Sequence, residues 1–180
     1  MRVLAVVGSP EPGGKSAAAA ASVLVGARRQ GADTELVELA GRDYNDEVQA
    51  AVERADGIVF AAPVYRARAA SPLKTFLDRL PRGMWGESNA PLRGKACAIV
   101  LTGATLHHFL ALDELRGVLA SFFAAQVLSP GLYMHSEAFT EAKELSPEWS
   151  DLAAAHGAAL VDLAKAVRDS KALSELRPLA

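Results

Sequence analysis

The segment that most constrains the fold is residues 2–16, which read RVLAVVGSPEPGGKS. Five apolar residues in succession, at positions 3–7, are typical of a strand buried on both faces of a parallel sheet. A polar loop follows, and the five alanines after Ser16 begin a helical pattern. Because a helix N-terminus beside a loop of Ser, Gly and Lys suits an anion, we predict a phosphate site at Ser9, Lys15 and Ser16.

Length, composition and charge limit what can surround this site. With 180 residues and 51% hydrophobic residues, the chain can build one sizeable core, so we expect a single domain over 1–180 with a core to about residue 170 and a tail at 171–180. A net charge of −2 argues against a nucleic acid partner or an anionic membrane partner. The single cysteine, Cys97, excludes an internal disulfide and a multi-cysteine zinc site, and we predict no metal.

Targeting signals are not apparent in the sequence. The first residues lack the order of charged, apolar and small residues that a signal peptide has. No apolar run approaches the roughly 20 residues of a membrane span. We therefore expect a cytoplasmic protein that does not enter a membrane.

Short apolar runs alternate with helical patterns along the rest of the chain. Further strands are predicted at 34–39, 57–62, 96–101 and 126–134, the last one broken at 129–131. Helices are predicted at 46–54, 72–80, about 108–125 and from 147 onwards. Pro63 is expected to stop the hydrogen-bond ladder of the third strand, because proline has no N–H.

This alternation predicts an α/β fold with a doubly wound, five-stranded parallel sheet. The strand order 2-1-3-4-5 is favoured over the dinucleotide-binding order, because residues 8–13 do not match Gly-x-Gly-x-x-Gly. Ligands of such sheets bind outside the carboxyl ends of the strands. The segments 9–16, 63–71 and 102–108 should therefore form one crevice.

Three motifs lie in or just after these segments. They are Gly-Ser-Pro at 8–10, Pro-Val-Tyr-Arg at 63–66 leading to Leu-Lys-Thr-Phe-Leu-Asp at 73–78, and Thr-Gly at 102–103 followed by His108 and Asp113. Taken together, they resemble the NADPH-dependent FMN reductase family. The likeness covers roughly residues 1–135 and is nearest to the flavin reductases of sulfonate-utilising two-component monooxygenases.

The resemblance implies a flavodoxin-like fold that binds FMN and takes hydride from NADPH or NADH. By similarity, the first loop would hold the FMN phosphate. The edge of the isoalloxazine ring would be lined by Pro63, Val64, Tyr65 and Arg66, and its other side would be flanked by Thr102, Gly103, Ala104 and Thr105. The family's usual arginine in the first loop is replaced by Glu11, so Lys15 is expected to supply the positive charge.

Hydride transfer is the cofactor's own chemistry, so no acid/base pair has to stand out in the sequence. Reduced FMN carries negative charge, and Arg66 is our candidate for a cation that favours reduction, although it also fits a solvated loop arginine. His108 is a candidate catalytic residue, and it also fits an ordinary residue at a helix start.

Two other function classes compete with a flavin reductase. A flavodoxin-like electron carrier would bind FMN without turning over nicotinamide, but such carriers tend to be strongly acidic and this chain is nearly balanced in charge. A P-loop nucleotidase is disfavoured, because Gly8 lies one residue too far upstream of Gly14-Lys15-Ser16 for a Walker A loop.

The resemblance also implies partners: a small-molecule acceptor, a second copy in a homodimer or homotetramer, and a monooxygenase. The helix at 72–80 has apolar residues that a thin layer would not cover fully, which favours self-association through this region. They are Leu73, Phe76, Leu77 and Leu80.

One departure from the resembled reductases concerns the helix at about 108–125. Those enzymes carry an extra residue just after the aspartate that matches Asp113, and this chain does not. We therefore predict an uninterrupted α-helix, without the π-bulge that an inserted residue makes. In the resembled enzymes that bulge accompanies release of flavin, so its absence predicts FMN retained as a bound cofactor. The helix should then keep four residues in register on one face: Leu112, Leu115, Leu119 and Phe122.

Overall fold

The apolar runs of the sequence form a central sheet in the computed structural model, which describes residues 1–42 and 46–178. The strands are β1 Arg2–Val7, β2 Asp33–Glu38, β3 Gly57–Tyr65, β4 Arg68–Ala69, β5 Ala96–Thr102, β6 Gln126–Val127 and β7 Leu132–Met134. The α-helices are α1 Lys15–Arg29, α2 Asp46–Arg54, α3 Ser71–Arg79, α4 Ala111–Gly117, α5 Pro147–Asp169 and α6 Lys171–Ser174. Short 3₁₀ turns lie at Leu106–His108 and Ser136–Ala138, and a π-helix lies at Val118–Phe122.

The sheet has the order β2-β1-β3-β5-β6. β7 pairs with the C-terminal half of β5, along the same edge that β6 pairs with at its start. All these pairings are parallel, whereas the short β4 pairs antiparallel with β3. Since β5 is the fourth predicted strand, and β6 and β7 are the two halves of the fifth, the predicted α/β architecture and strand order are confirmed. Residues 179–180, the end of the predicted tail, lie outside the described residues.

The predicted stop at Pro63 is confirmed for the ladder to β5, although the strand itself runs two residues further. β3 continues to Tyr65, and Pro63 forms the last parallel pair with Thr102 of β5. A proline is tolerated there because the ladder to β5 ends at this pair, so the missing N–H interrupts nothing beyond it. The Pro63 carbonyl accepts a 2.9 Å hydrogen bond from the Ala70 N–H, which closes a hairpin instead.

Helices cover both faces of the sheet and create two apolar layers. One layer contains buried side chains of α2, α3 and α4, and the other contains those of α1 and α5. Cys97 lies in the first layer, where burial raises the pKa of its thiol to about 12, so it serves as packing. Among the described residues, no helix combines the length and the apolar character needed to cross a bilayer.

The prediction of an uninterrupted α-helix after the third loop is wrong. The α-helical part ends at Gly117, and Val118–Phe122 is a π-helix, after which the Ala125 N–H donates to the Leu119 carbonyl at 3.0 Å. Leu112, Leu115 and Leu119 are buried as predicted, but Phe122 is 53% exposed and Phe123 is buried in its place. The wider π turn rotates Phe122 away from the core. The helix therefore gives no support to the prediction that FMN is retained as a bound cofactor.

The reason given for self-association through α3 is also wrong. Its four apolar side chains are all buried within this chain, with exposures between 0% and 4%. They pack against apolar side chains of the sheet and of α4. The polar side of α3 carries an ion pair between Lys74 and Asp78.

Candidate active site

Three loops meet at one edge of the sheet, at the carboxyl ends of β1, β3 and β5. These strands are parallel neighbours, so their ends lie side by side. A first loop at 8–14 leads into α1, a hairpin joins β3 to β4, and a third loop at 103–105 follows β5. The Gly8 N–H donates to the Ala61 carbonyl at 2.7 Å, which ties the first loop to β3. The three predicted segments therefore lie together at one edge of the sheet.

The first loop presents backbone and a cation at the start of α1. Gly14 is the N-cap residue and offers no side chain to the helix, and the first turn contains no acidic residue. A Cβ added at Gly13 or Gly14 would meet nothing within 4 Å, so this side of the loop is open. Lys15 stands at the first helical position, with its Nζ 5.2 Å from the centre of the Phe139 ring. Free N–H groups, an open loop and an adjacent ammonium fit a phosphate group.

Ser9 and Ser16 lie deeper than Lys15. Ser9 is 9% exposed, and its Oγ accepts a hydrogen bond from the Glu11 N–H at 3.4 Å. Ser16 is 2% exposed, and its Oγ lies 2.7 Å from the Thr102 Oγ1, so the two hydroxyls share a hydrogen bond. The structure thus brings Ser16 and Thr102 together and links the start of α1 to the end of β5.

The hairpin projects Tyr65 and two arginines beside the crevice. Its turn residues Arg66 and Ala67 have φ values of 52° and 65°, the left-handed conformation that a two-residue hairpin of type I′ requires. Neither residue is glycine, so this turn is strained. Arg68 pairs with Glu114 of α4, which fastens the hairpin to that helix.

The predicted site residues of the hairpin differ in how far their side chains are exposed to solvent. Tyr65 is 58% exposed, and Arg66 is exposed as well. Val64 is 8% exposed and packs in the apolar layer that contains α3 and α4. Only the backbone of Val64 can therefore contribute to the crevice, whereas Tyr65 and Arg66 can contribute side chains.

The third loop is held from the side of β7. The Gly103 N–H donates to the Met134 carbonyl at 3.0 Å. The Ala104 carbonyl accepts from the Ser136 Oγ, and the Thr105 carbonyl accepts from the Tyr133 phenol, both at 2.8 Å. Beyond this loop, the exposed His108 ends a 3₁₀ turn, and the neighbouring His107 Nδ1 lies 3.1 Å from the Thr105 Oγ1.

Sequence reasoning missed four residues that shape these loops. Glu38 ends β2 and accepts a hydrogen bond from the Gly13 N–H at 2.9 Å, and Phe139 contacts Lys15. Tyr133 and Ser136 hold the third loop from β7 and the segment after it. The signal that could have found Glu38, Tyr133 and Ser136 was available, because each lies at or just beyond the carboxyl end of a predicted strand.

Comparison with known proteins agrees with this geometry. The NADPH-dependent FMN reductase family profile matches residues 1–140. An "FMN reductase (NADPH)" from Escherichia coli is 38% identical over 78 residues, 43% of this chain and 37% of that protein. An "NAD(P)H-dependent FAD/FMN reductase" from Geobacillus thermodenitrificans is 30% identical over 105 residues, 57% of this chain and 53% of that protein. The matches span about half or less of each relative.

Solved structures support the fold. A flavodoxin, WrbA-like protein from Agrobacterium tumefaciens superposes with a TM-score of 0.73 at 19% identity, over 92% of this chain and 98% of that one. The fold is therefore flavodoxin-like. Because the family profile covers most of the chain and the three loops occupy the expected edge, the chain belongs to the NADPH-dependent FMN reductase family.

Proposed function

We propose that this protein is an FMN-dependent NAD(P)H oxidoreductase, which passes hydride from NADPH or NADH to FMN and onward to a small acceptor. The observation that carries the proposal is the opening of three loops on one edge: the uncapped, basic start of α1, the hairpin and the third loop. The first loop suits a phosphate, and the other two can border a planar ring. Bound FMN would supply the hydride chemistry at its ring.

Each loop then has a distinct task. Lys15 and the N–H groups at the start of α1 bind the phosphate, with Ser9 beside them. Ser16 acts through its hydrogen bond to Thr102, which holds the first and third loops at a fixed distance from each other. Tyr65 and Arg66 border the ring, and Arg66 supplies positive charge toward the reduced flavin. His108 is kept as a candidate catalytic group because its side chain is exposed next to the third loop.

The test is NADPH oxidation followed at 340 nm with purified protein, with and without added FMN. We expect FMN-dependent oxidation of NADPH or NADH, and a further gain when a quinone is supplied as acceptor. FMN alone and protein alone are the controls. Protein that binds FMN but oxidises neither nucleotide would instead be a flavodoxin-like carrier. Steady-state kinetics then decide whether FMN stays bound. Parallel double-reciprocal plots with NADPH and a quinone mean that FMN is retained, and intersecting plots with FMN as the varied acceptor mean that it is released.

We also propose that residues 1–180 form one domain and that the protein is a cytoplasmic homodimer or homotetramer. Self-association is supported by exposed apolar side chains around the third loop and the π-helix rather than by α3. Leu106, Phe109, Leu110 and Phe122 are 57%, 52%, 61% and 53% exposed. A monooxygenase that consumes reduced flavin is a further proposed partner if FMN leaves the protein.

Light scattering at micromolar concentration should therefore give the mass of two or four chains. Phe109→Asp should shift the protein toward monomer, because it places a charge in this apolar surface. Leu152→Asp is the matched control, since Leu152 is 42% exposed on α5 at the other face of the sheet. A monomeric parent protein would contradict the proposal.

A further inference from the structure

We propose that Tyr133 and Ser136 are positioning residues for the flavin ring: by fixing the carbonyls of the third loop, they aim its N–H groups at the ring and favour the reduced state. The inference rests on the proposed function, because it takes FMN as the ligand. It assigns a role to two residues that lie outside the three loops.

Hydrogen bonds from outside the third loop set the direction of two of its carbonyl groups. The Ser136 Oγ and the Tyr133 phenol both donate from the β7 side, to the carbonyls of Ala104 and Thr105. The Ala104 carbonyl therefore points toward the segment just after β7, and the Thr105 carbonyl points toward the Tyr133 phenol. In the sheet, β7 lies beside β5 on the side away from β3, which carries the hairpin.

Peptide geometry then sets the direction of two N–H groups. In a planar trans peptide, the carbonyl of one residue and the N–H of the next point in opposite directions. The N–H groups of Thr105 and Leu106 therefore point away from the two hydroxyls, and we infer that they face the crevice between the hairpin and the first loop. That is the crevice in which the ring is proposed to lie.

The packing around Gly103 shows how closely Tyr133 is fitted to the loop. A Cβ added at Gly103 would lie 2.0 Å from the Tyr133 phenol oxygen, so only glycine allows this approach. Tyr133 is 8% exposed and its ring belongs to the apolar layer with α3 and α4, which fixes the direction of its O–H. Burial also raises the pKa of the phenol, so the group remains a donor at neutral and mildly alkaline pH.

The consequence follows from the charge of reduced FMN. Fixed N–H donors stabilise an anion more than a neutral ring, because charge-assisted hydrogen bonds are stronger. Without these hydrogen bonds to the carbonyls, the two peptides can rotate, and their N–H groups no longer point steadily at the ring. Loss of Tyr133 or Ser136 hydroxyls should therefore weaken the binding of reduced FMN more than the binding of oxidised FMN.

The experiment measures FMN affinity in both redox states for the parent protein, Tyr133→Phe, Ser136→Ala and the double variant. Oxidised FMN is titrated by flavin fluorescence, and reduced FMN is titrated anaerobically. We expect oxidised FMN to bind almost unchanged and reduced FMN to bind about tenfold more weakly in the double variant. A tenfold change corresponds to a midpoint potential about 30 mV more negative for a two-electron couple. Ser88→Ala, at an exposed serine in the connection before β5, is the control and should change neither affinity.

The outcomes separate this inference from the function on which it rests. A parent protein that binds neither form of FMN overturns the proposed function and the inference with it. A parent that binds both forms, with variants that lose both affinities equally or lose neither, overturns the inference alone. Tyr133→Phe retains the buried ring, and Ser136 is exposed, so urea unfolding of both variants should stay cooperative and lose no more than about 1.5 kcal/mol, the value of one hydrogen bond.

Discussion

Gly157→Ala is expected to destabilise the folded chain by about 3 kcal/mol, a large effect for the addition of one methyl group. Helices α1 and α5 cross in backbone contact, and a Cβ at Gly157 would lie 1.9 Å from the Val23 carbonyl oxygen. On the facing helix, a Cβ at Gly26 would lie 1.8 Å from the Ala154 carbonyl oxygen. Both obstacles are backbone atoms, so the strain can be relieved only if the helices move apart.

Urea unfolding measures this change directly, and a thermal scan should show a Tm lower by roughly 6 to 12 °C. Gly117→Ala is the matched control, because Gly117 lies in a helix and a Cβ there would meet nothing within 4 Å. That variant should gain up to about 1 kcal/mol from helix propensity. If Gly157→Ala is no less stable than Gly117→Ala, the close crossing of α1 and α5 is not a feature of the folded protein.

Most of the fold follows from local sequence signals. The runs at β1, β3 and β5 are apolar without interruption, and such runs are buried between two helical layers in a parallel sheet. α2 has the predicted bounds, and α5 begins at the predicted Pro147, which is favourable in the first helical turn. Strand order was also predictable, because the connections are short and leave few topologies for five strands.

The errors arise where a tertiary contact overrides a local rule. Pro63 does end the parallel ladder to β5, but β3 continues past it because the chain turns into the hairpin with β4. The π-helix occurs although the chain lacks the inserted residue that is expected to produce it. Phe122, at its end, lies with its ring 3.9 Å from the guanidinium carbon of Arg82, which is itself 8% exposed. That contact joins segments some forty residues apart, so no local pattern in the helix could reveal it.

At the site too, the positions of the loops follow from local sequence signals, whereas the contacts between them do not. The loops could be located from the strand ends, because the rule for parallel sheets fixes their position. The hydrogen-bond partner of each side chain could not be predicted, since the bond between Ser16 and Thr102 joins residues 86 positions apart. The contact that Tyr133 makes with the third loop could not be predicted either. Its strand pairs with β5 over only three residues, and its hydrogen bond to the Thr105 carbonyl joins residues 28 positions apart.

Lys15→Ala should weaken FMN binding by about 1.5 to 3 kcal/mol, the value of a charge-assisted hydrogen bond, which is roughly 10- to 150-fold in Kd. The Lys15 ammonium now lies over Phe139, at the open side of the first loop, and no acidic residue in the first turn of α1 competes for it. A dianionic phosphate is a stronger partner than an aromatic ring, so the side chain should turn to the phosphate when FMN binds.

Riboflavin makes this prediction specific, because it has the same ring as FMN and no phosphate. Titration by flavin fluorescence should give a large loss of FMN affinity in Lys15→Ala and an unchanged affinity for riboflavin. Lys165→Ala is the matched control, since Lys165 lies on α5 and pairs there with Asp162 at 3.7 Å. The loss should also shrink as salt is raised, because an exposed charge is screened. Equal losses for FMN and riboflavin would mean that Lys15 supports the loop or the ring, and that the phosphate is bound elsewhere.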